Sequence, residues 1–465
     1  MHELPILGDS LRARTAEAIA DERLHTSLVR ATDTFTGRKA SAYGQFSDPD
    51  AIRQAARAAK ADVLGHLAEI LDKLADRLEA TGAQLHWAAT DEEAREAVAR
   101  IVAQTGARRV VKSKSMLTEE IGLNAALAAS GVQVTETDLG EWIIQLAGEM
   151  PSHIIVPAIH KDRDQIRAIL QEVADRPLSD DPAELAAFAR ETLRQRFLEA
   201  DLGISGANFA VAQTGSLVLV TNEGNGRLTT SLPRVHVALL GMERVVDTWE
   251  QLDLMLALLP RAATGQPITT YVSTMTGPRR PFEADGPDEL HVIVVDLGRS
   301  MILGTEFTEM LACIRCGACL NVCPVYRQVG GHAYGWVYPG PMGAVLSPLL
   351  MDIPQTAELP NASSLCGACW EACPVGIPLQ DMLLAHRRRN ASGAGVGERA
   401  AWSAWANAWS HPWSYRASLR MASIGARMLN PGLVPGPPQR WKIGREVPTP
   451  ARTSFRDLWR KSRGS

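Results

Sequence analysis

The chain has 465 residues, 46% hydrophobic and 22% charged, with a formal net charge of −4. This is the composition of a globular protein with ample apolar material for a core, and it excludes a disordered, collagen-like or disulfide-stapled chain. No stretch approaches the ~18 uninterrupted apolar residues of a membrane-spanning helix, and the opening residues do not read as a signal peptide.

Length predicts roughly two to four domains. Residues 1–47 are polar and mixed, expected to be partly helical, with Thr32-Asp-Thr-Phe-Thr-Gly37 as a turn. Asp48 is expected to cap a long amphipathic helix over 51–80, ended by Gly82. An alternation follows, with strands expected at 84–89, 109–112, 132–135 and 153–156 and helices at 91–104, 118–129, 139–147 and 161–174. Such spacing predicts βαβ units and a parallel sheet, hence an α/β fold class. From Phe209 the pattern turns β-rich, with strands expected at 210–212, 216–221, 236–241 and 291–296. Between them, 221–227 reads as a turn-rich loop that fits neither the dinucleotide fingerprint nor the P-loop.

All seven cysteines fall between positions 313 and 373, and concentrated thiols at metal spacing point to a reducing compartment. The first run is Cys313-Ile-Arg-Cys316-Gly-Ala-Cys319-Leu-Asn-Val-Cys323-Pro324, the spacing that ligates 4Fe–4S clusters. The second, Cys366-Gly-Ala-Cys369-Trp-Glu-Ala-Cys373-Pro374, lies 50 residues on and has Ser363 where a first cysteine would stand. In two-cluster ferredoxins the fourth cysteine of each run reaches across to the other cluster. That pattern assigns Cys313, Cys316, Cys319 and Cys373 to cluster I, and Cys323, Cys366 and Cys369 to cluster II. The fourth corner of cluster II is then Ser363, another donor or nothing, and the cluster is 3Fe–4S or 4Fe–4S with one non-thiolate ligand. A structural zinc site, which favours separated cysteine pairs closed at four ligands, fits the spacing poorly. The pairs Gly317-Ala318 and Gly367-Ala368 suit close backbone approach to an inorganic core.

His332, Tyr334, Trp336 and Tyr338 follow the first run, either packing over it or tuning a cluster by hydrogen bonds. In the α/β region Lys112, Lys114, His153, His160, Lys161, Arg234 and His236 flank expected strands and are candidates for a carboxylate or phosphate pocket, against ordinary loop charge and satisfied histidines. Residues 387–465 carry 15 basic and three acidic side chains, a net of +12, leaving −16 for the rest. This tail holds six of the eleven tryptophans, with Trp402, Trp405, Trp409 and Trp413 on one expected helix face and Pro412 ending the helix. The face either packs on its own protein or docks on a partner subunit or membrane surface. Residues 431–438 are proline-containing, and the basic segment beyond them is expected to be extended or weakly ordered. No nucleic-acid-reading module is recognisable.

Several segments together resemble the lactate utilization protein B family of bacterial iron–sulfur subunits. They are Val111-Lys-Ser-Lys-Ser-Met116, Glu136-Thr-Asp-Leu-Gly-Glu141, Ile143-Ile-Gln-Leu-Ala-Gly-Glu149, Pro151-Ser-His-Ile-Ile-Val-Pro-Ala-Ile-His-Lys161, Thr221-Asn-Glu-Gly-Asn225, Ala263-Thr-Gly-Gln266, Cys313 to Gly340, and Ser363-Ser-Leu-Cys-Gly-Ala-Cys369. The resemblance implies a lactate utilization domain, similar to CoA-transferase and sugar-isomerase folds, then an α-helical two-cluster ferredoxin-type domain and a helical C-terminal tail. The corresponding divisions are 1–60, 61–300, 301–390 and 391–465. It further implies two 4Fe–4S clusters and, as partners, other subunits of a system oxidising L-lactate to pyruvate and an electron acceptor. On that reading the protein is cytoplasmic or peripheral at the inner membrane face, and carries electrons while substrate is oxidised elsewhere. The alternatives are another 2-hydroxy acid such as glycolate, or an acyl- or CoA-transfer enzyme with redox-sensing clusters.

Overall fold

Among the described residues ten strands form in chain order: β1 (Gln84–Ala88), β2 (Arg109–Lys112), β3 (Gln133–Glu136), β4 (Leu202–Gly206), β5 (Phe209–Val211), β6 (Ser216–Thr221), β7 (Val235–Gly241), β8 (Val245–Val246), β9 (Tyr271–Met275) and β10 (Glu289–Val295). The computed structural model describes residues 9–351, 354–393, 395–428 and 453–463. Six strands make a parallel sheet in the order β1-β10-β7-β4-β2-β3, and the remaining four make a mixed sheet in the order β8-β5-β6-β9.

The central strands are apolar on both faces because helices cover both. On β7, Val235, Val237 and Leu239 enter one core cluster and Ala238 and Leu240 another; on β10, Ile293 and Val295 oppose Leu290, Val292 and Val294 in the same way. The period of two thus sends alternate side chains to opposite layers. One layer is supplied by the helix Asp91–Thr105, whose acidic first turn is capped by Thr90. Asp48 caps as expected, accepting from the Ala51 N–H, a bond worth ~1 kcal/mol.

Several expectations are corrected. The helix expected over 51–80 is two, Pro49–Gly65 and Leu67–Ala80, broken at His66. There the His66 N–H bonds back to Asp62 and Val63, closing the first helix. The turn expected at 32–37 is instead the middle of one 22-residue helix, Glu22–Tyr43. The Thr32 and Thr34 hydroxyls bond back to the Leu28 and Arg30 carbonyls, which absorbs the polar turn signal into the helix. The helix expected at 118–129 is split by Gly122, at φ 61°, into Met116–Glu120 and Leu123–Ala129. Residues 153–156 form no strand, and 221–227 is not all loop, since the helix Asn225–Ser231 starts within it.

The chain divides into two compact units, residues 1–388 and 389–465. The second contains the helices Val396–Ser410, Pro412–Met428 and Phe455–Arg463. Trp402, Trp405 and Trp409 follow one another along the first of these, edge-on at 5.8 Å and then tilted at 5.2 Å between centroids, and Trp409 meets Tyr415 edge-on at 5.3 Å. Trp413 belongs to the next helix, because Pro412 opens that helix after the first has ended at Ser410. The segment 431–438 lies outside the described residues; of the basic stretch beyond it, Phe455–Arg463 is helical rather than extended.

Candidate metal centre and adjoining cavity

The two cysteine runs share one backbone. Arg315 and Leu365, each preceding a cysteine, take φ of 58° and 55°; Gly317 and Gly367, each following it, take 73° and 84°. The short helices Ala318–Asn321 and Ala368–Ala372 then begin. A bulky residue in the left-handed region is uncommon and persists only where its surroundings hold it. At Gly317 an added Cβ would press on His153 Cε1 at 3.0 Å, whereas at Gly367 it would meet nothing within 4 Å. Glycine is therefore required by φ at both and by close approach at the first alone.

Cys313, Cys316, Cys319 and Cys373 line one small cavity, walled by apolar side chains including Met310, Met342 and Ile377. Burial, reinforced by Cys373, pushes the Cys316 thiol up to about 12. Burial and then Cys323 push Cys369 up to about 12, and Cys323 in turn feels Cys366, so these three thiols are neighbours. None of the seven is in a disulfide. The Ile377 N–H donates to Cys373 Sγ at 3.4 Å, and backbone N–H groups of Ala318 and Tyr326 serve Cys316 and Cys323. Four converging thiols, three of them buried and Cys313 partly so, with amide donors aimed at sulfur suit a cationic iron core, which would offset the burial of like charges.

Ser363 Oγ accepts from the Leu365 N–H at 3.1 Å, and its carbonyl accepts from Arg387. The Tyr334 hydroxyl, fully buried, adjoins the Cys323 sulfur. Residues without any motif hold the runs in place. Arg53 donates to the Cys373 and Trp370 carbonyls at 2.9 and 2.6 Å, Lys39 to the Ala372 carbonyl, and Arg244 to the Cys313 carbonyl at 2.8 Å.

Beside the first run lies a cavity of about 500 Å³. It opens at the carboxyl ends of the parallel strands, lined by Ser113, Lys114 and Ser115 after β2, Asp138 after β3, Gly206 to Asn208 at the end of β4, and Glu243 and Arg244 after β7. From β2 the chain proceeds to β3 on one side; from β4 it proceeds to β7 and β10 on the other. The adjacent β2 and β4 thus mark the reversal of strand order, the place where open α/β sheets hold ligands.

The cavity floor is a buried ion network. Arg299 bridges both Glu120 oxygens at 2.8 and 2.7 Å and reaches Glu243 Oε2 at 2.8 Å. Arg315, from within the first cysteine run, pairs with Glu243 at 3.2 Å and lies 4.9 Å over the Tyr338 ring, whose hydroxyl donates to Glu120. Beneath it, Lys60 donates to the Glu243 carbonyl at 2.8 Å, and burial followed by Arg244 lowers its ammonium to about 7.

Of the candidate pocket residues, Lys114 alone among the basic ones reaches this cavity, donating to the Ile155 carbonyl at 2.8 Å. Lys112 is buried among Glu136 and Glu119. His236 is a core histidine bonded to Ser205 at 2.8 Å, held neutral because burial, then His291, lowers it to about 3. Arg234 lies at the opposite end of β7, paired with Glu289. His160 and Lys161 share Glu149 near His332. His153 sits against Gly317, its Nδ1 accepting from the Ile155 and Val156 N–H groups at 3.0 and 3.2 Å. Of the aromatic loop, Tyr338 serves the ion network and Tyr334 a cysteine sulfur, while Trp336 packs edge-on against Tyr338.

Residues 71–295 match the LUD domain family, 309–377 the 4Fe-4S dicluster domain, and 385–464 the family described as lactate utilisation protein B, C-terminal. A parallel α/β sheet with the first match and two cysteine runs within the second define an iron–sulfur protein built on a LUD domain. Lactate utilization protein B of Shouchella clausii is 47% identical over 457 residues, covering 97% of this chain and 94% of its own. That of Oceanobacillus iheyensis is 45% identical over 459 residues, covering 97% and 96%. The chain belongs to the lactate utilization protein B family. A solved structure of a DUF162 family protein from Deinococcus radiodurans aligns over 49% of this chain and 98% of its own at 19% identity, with a TM-score of 0.29, too low to bear on the fold. No helix among the described residues is long and apolar enough to cross a membrane.

Proposed function

We propose that this chain is the electron-transfer subunit of a cytoplasmic complex that oxidises L-lactate to pyruvate, allowing growth on lactate. The observation that carries the reading is the convergence of Cys313, Cys316, Cys319 and Cys373 on one cavity, in a chain whose relatives are named for lactate utilization. On this proposal those four residues hold cluster I, and Cys323, Cys366 and Cys369 hold cluster II. Bound iron–sulfur clusters accept and release single electrons, and the oxidation of lactate yields two electrons and two protons. The protein's own contribution is insulation and tuning: apolar walls keep water from cluster I, and amide donors and the Tyr334 hydroxyl act on the sulfurs. Residues 61–300 form a domain similar to CoA-transferase and sugar-isomerase folds, and the basic tail contacts partner subunits.

A deletion strain lacking any second lactate dehydrogenase is expected to stop growing on L-lactate as sole carbon source. Normal growth of that strain would falsify the assignment, and rescue by a gene carrying Cys316→Ser would remove the clusters from it.

A further inference from the structure

The electron-transfer proposal leaves the 500 Å³ cavity without a role. Its volume falls in the ordinary range for a small-molecule site. Its floor carries three guanidiniums, Arg244, Arg299 and Arg315, against two carboxylates, Glu120 and Glu243. Arg299 bridges both carboxylates, and Arg315 shares Glu243 with it through Nη2. Arg315 Nη1 is buried with no hydrogen-bond partner among the described residues. Arg244, 8% exposed, makes no direct ion pair among the described residues: it donates to the carbonyls of Cys313 and Ile314 and lies 4.9 Å over the Phe209 ring, with Glu243 as a neighbouring charge. Three guanidiniums against two carboxylates leave the floor one positive charge in excess, and a buried excess of charge is complementary to an anion. The rim also holds two acids and a base: Asp138, which caps the helix Leu139–Ala147, Glu223, and Lys114. The walls between rim and floor include Ile143, Ile154 and Leu219.

We propose that this cavity binds a small organic anion, its carboxylate or phosphate head on Arg244 and Arg315 and its apolar body along Ile143, Ile154 and Leu219. The site goes beyond electron transfer, which needs no ligand here. It also adjoins the metal centre, because Arg315 lies between Cys313 and Cys316 and Arg244 grips the carbonyls of that same loop. An occupant's charge therefore bears on the first cysteine run.

The test is equilibrium dialysis of the full-length, anaerobically prepared protein, with iron and sulfide content measured, against labelled L-lactate, pyruvate and coenzyme A. Saturable binding of lactate or pyruvate assigns a carboxylate head, and of coenzyme A a phosphate one. Arg244→Gln is expected to weaken it about tenfold or more, the loss of a charge-assisted contact. As Arg244 also supports the cysteine loop, Val220→Trp provides a second variant on β6, blocking the cavity away from that loop. It is expected to abolish binding at unchanged iron and sulfide content. Absence of saturable binding by all three probes in fully loaded protein overturns the proposal, as does binding that both variants leave intact. Failure here with a lactate growth defect in the deletion strain would leave the electron-transfer reading standing alone.

Discussion

Arg299 shows how much of the molecule rests on single buried charges. Its side chain is 2% exposed, and it compensates Glu120 and Glu243, each also 2% exposed. Arg299→Met would keep most of the volume, leave buried Glu120 without a cation and leave Glu243 with Arg315 alone. The expected cost is about 3–5 kcal/mol, read as a fall in the urea midpoint, and an unchanged midpoint would show the network to be dispensable. Nothing about position 299 signals this in the chain, because its partners are 179 and 56 residues away. Arg315 is different: it is visible between two cysteines, and only its partner Glu243, 72 residues away in the chain, is hidden. The histidines teach the reverse lesson. His236 flanks a strand and reads as a pocket residue, yet the strand is central and the ring is buried against Ser205.

At the scale of elements, the two cysteine runs were legible because metal-ligand spacing is local and each run repeats a left-handed, cysteine, left-handed backbone. Their proposed exchange of fourth ligands makes a sharp prediction. Cys373→Ser is expected to remove or alter the cluster of the first run while sparing that of the second, and Cys323→Ser the reverse, by electron paramagnetic resonance and iron analysis. If each substitution instead affects its own run, the ligands do not cross. Other elements were misread or missed for physical reasons. The run His153-Ile-Ile-Val has strand composition, but its polar groups are taken by side chains: His153 accepts from two amides and Lys114 donates to the Ile155 carbonyl. The strand β4, at the heart of the sheet, has Gly203 and Gly206 where strand formers are expected. Gly203 is required there, since an added Cβ would sit 2.0 Å from the Thr229 carbonyl oxygen of the helix Asn225–Ser231.

For the whole molecule, all seven cysteines and the cavity belong to the unit of residues 1–388. A chain ending at residue 395 is therefore expected to retain its full iron and sulfide content and lose co-purification with partner subunits. Loss of iron on truncation would assign the tail a part in the metal centre instead. The sequence by itself determined the chemistry: thiolates at fixed spacing, an alternation of strands and helices, and an asymmetric charge. Those features depend on neighbours along the chain, and local geometry carries them into the fold. The cavity could be decided only by tertiary structure. Its lining runs from Ser113 to Tyr338, brought together by the order β1-β10-β7-β4-β2-β3, and that order places a loop after β7 beneath the first cysteine run. Strand order follows from which apolar faces bury one another across the whole chain, so the meeting of cysteine loop and ligand cavity has no local signature.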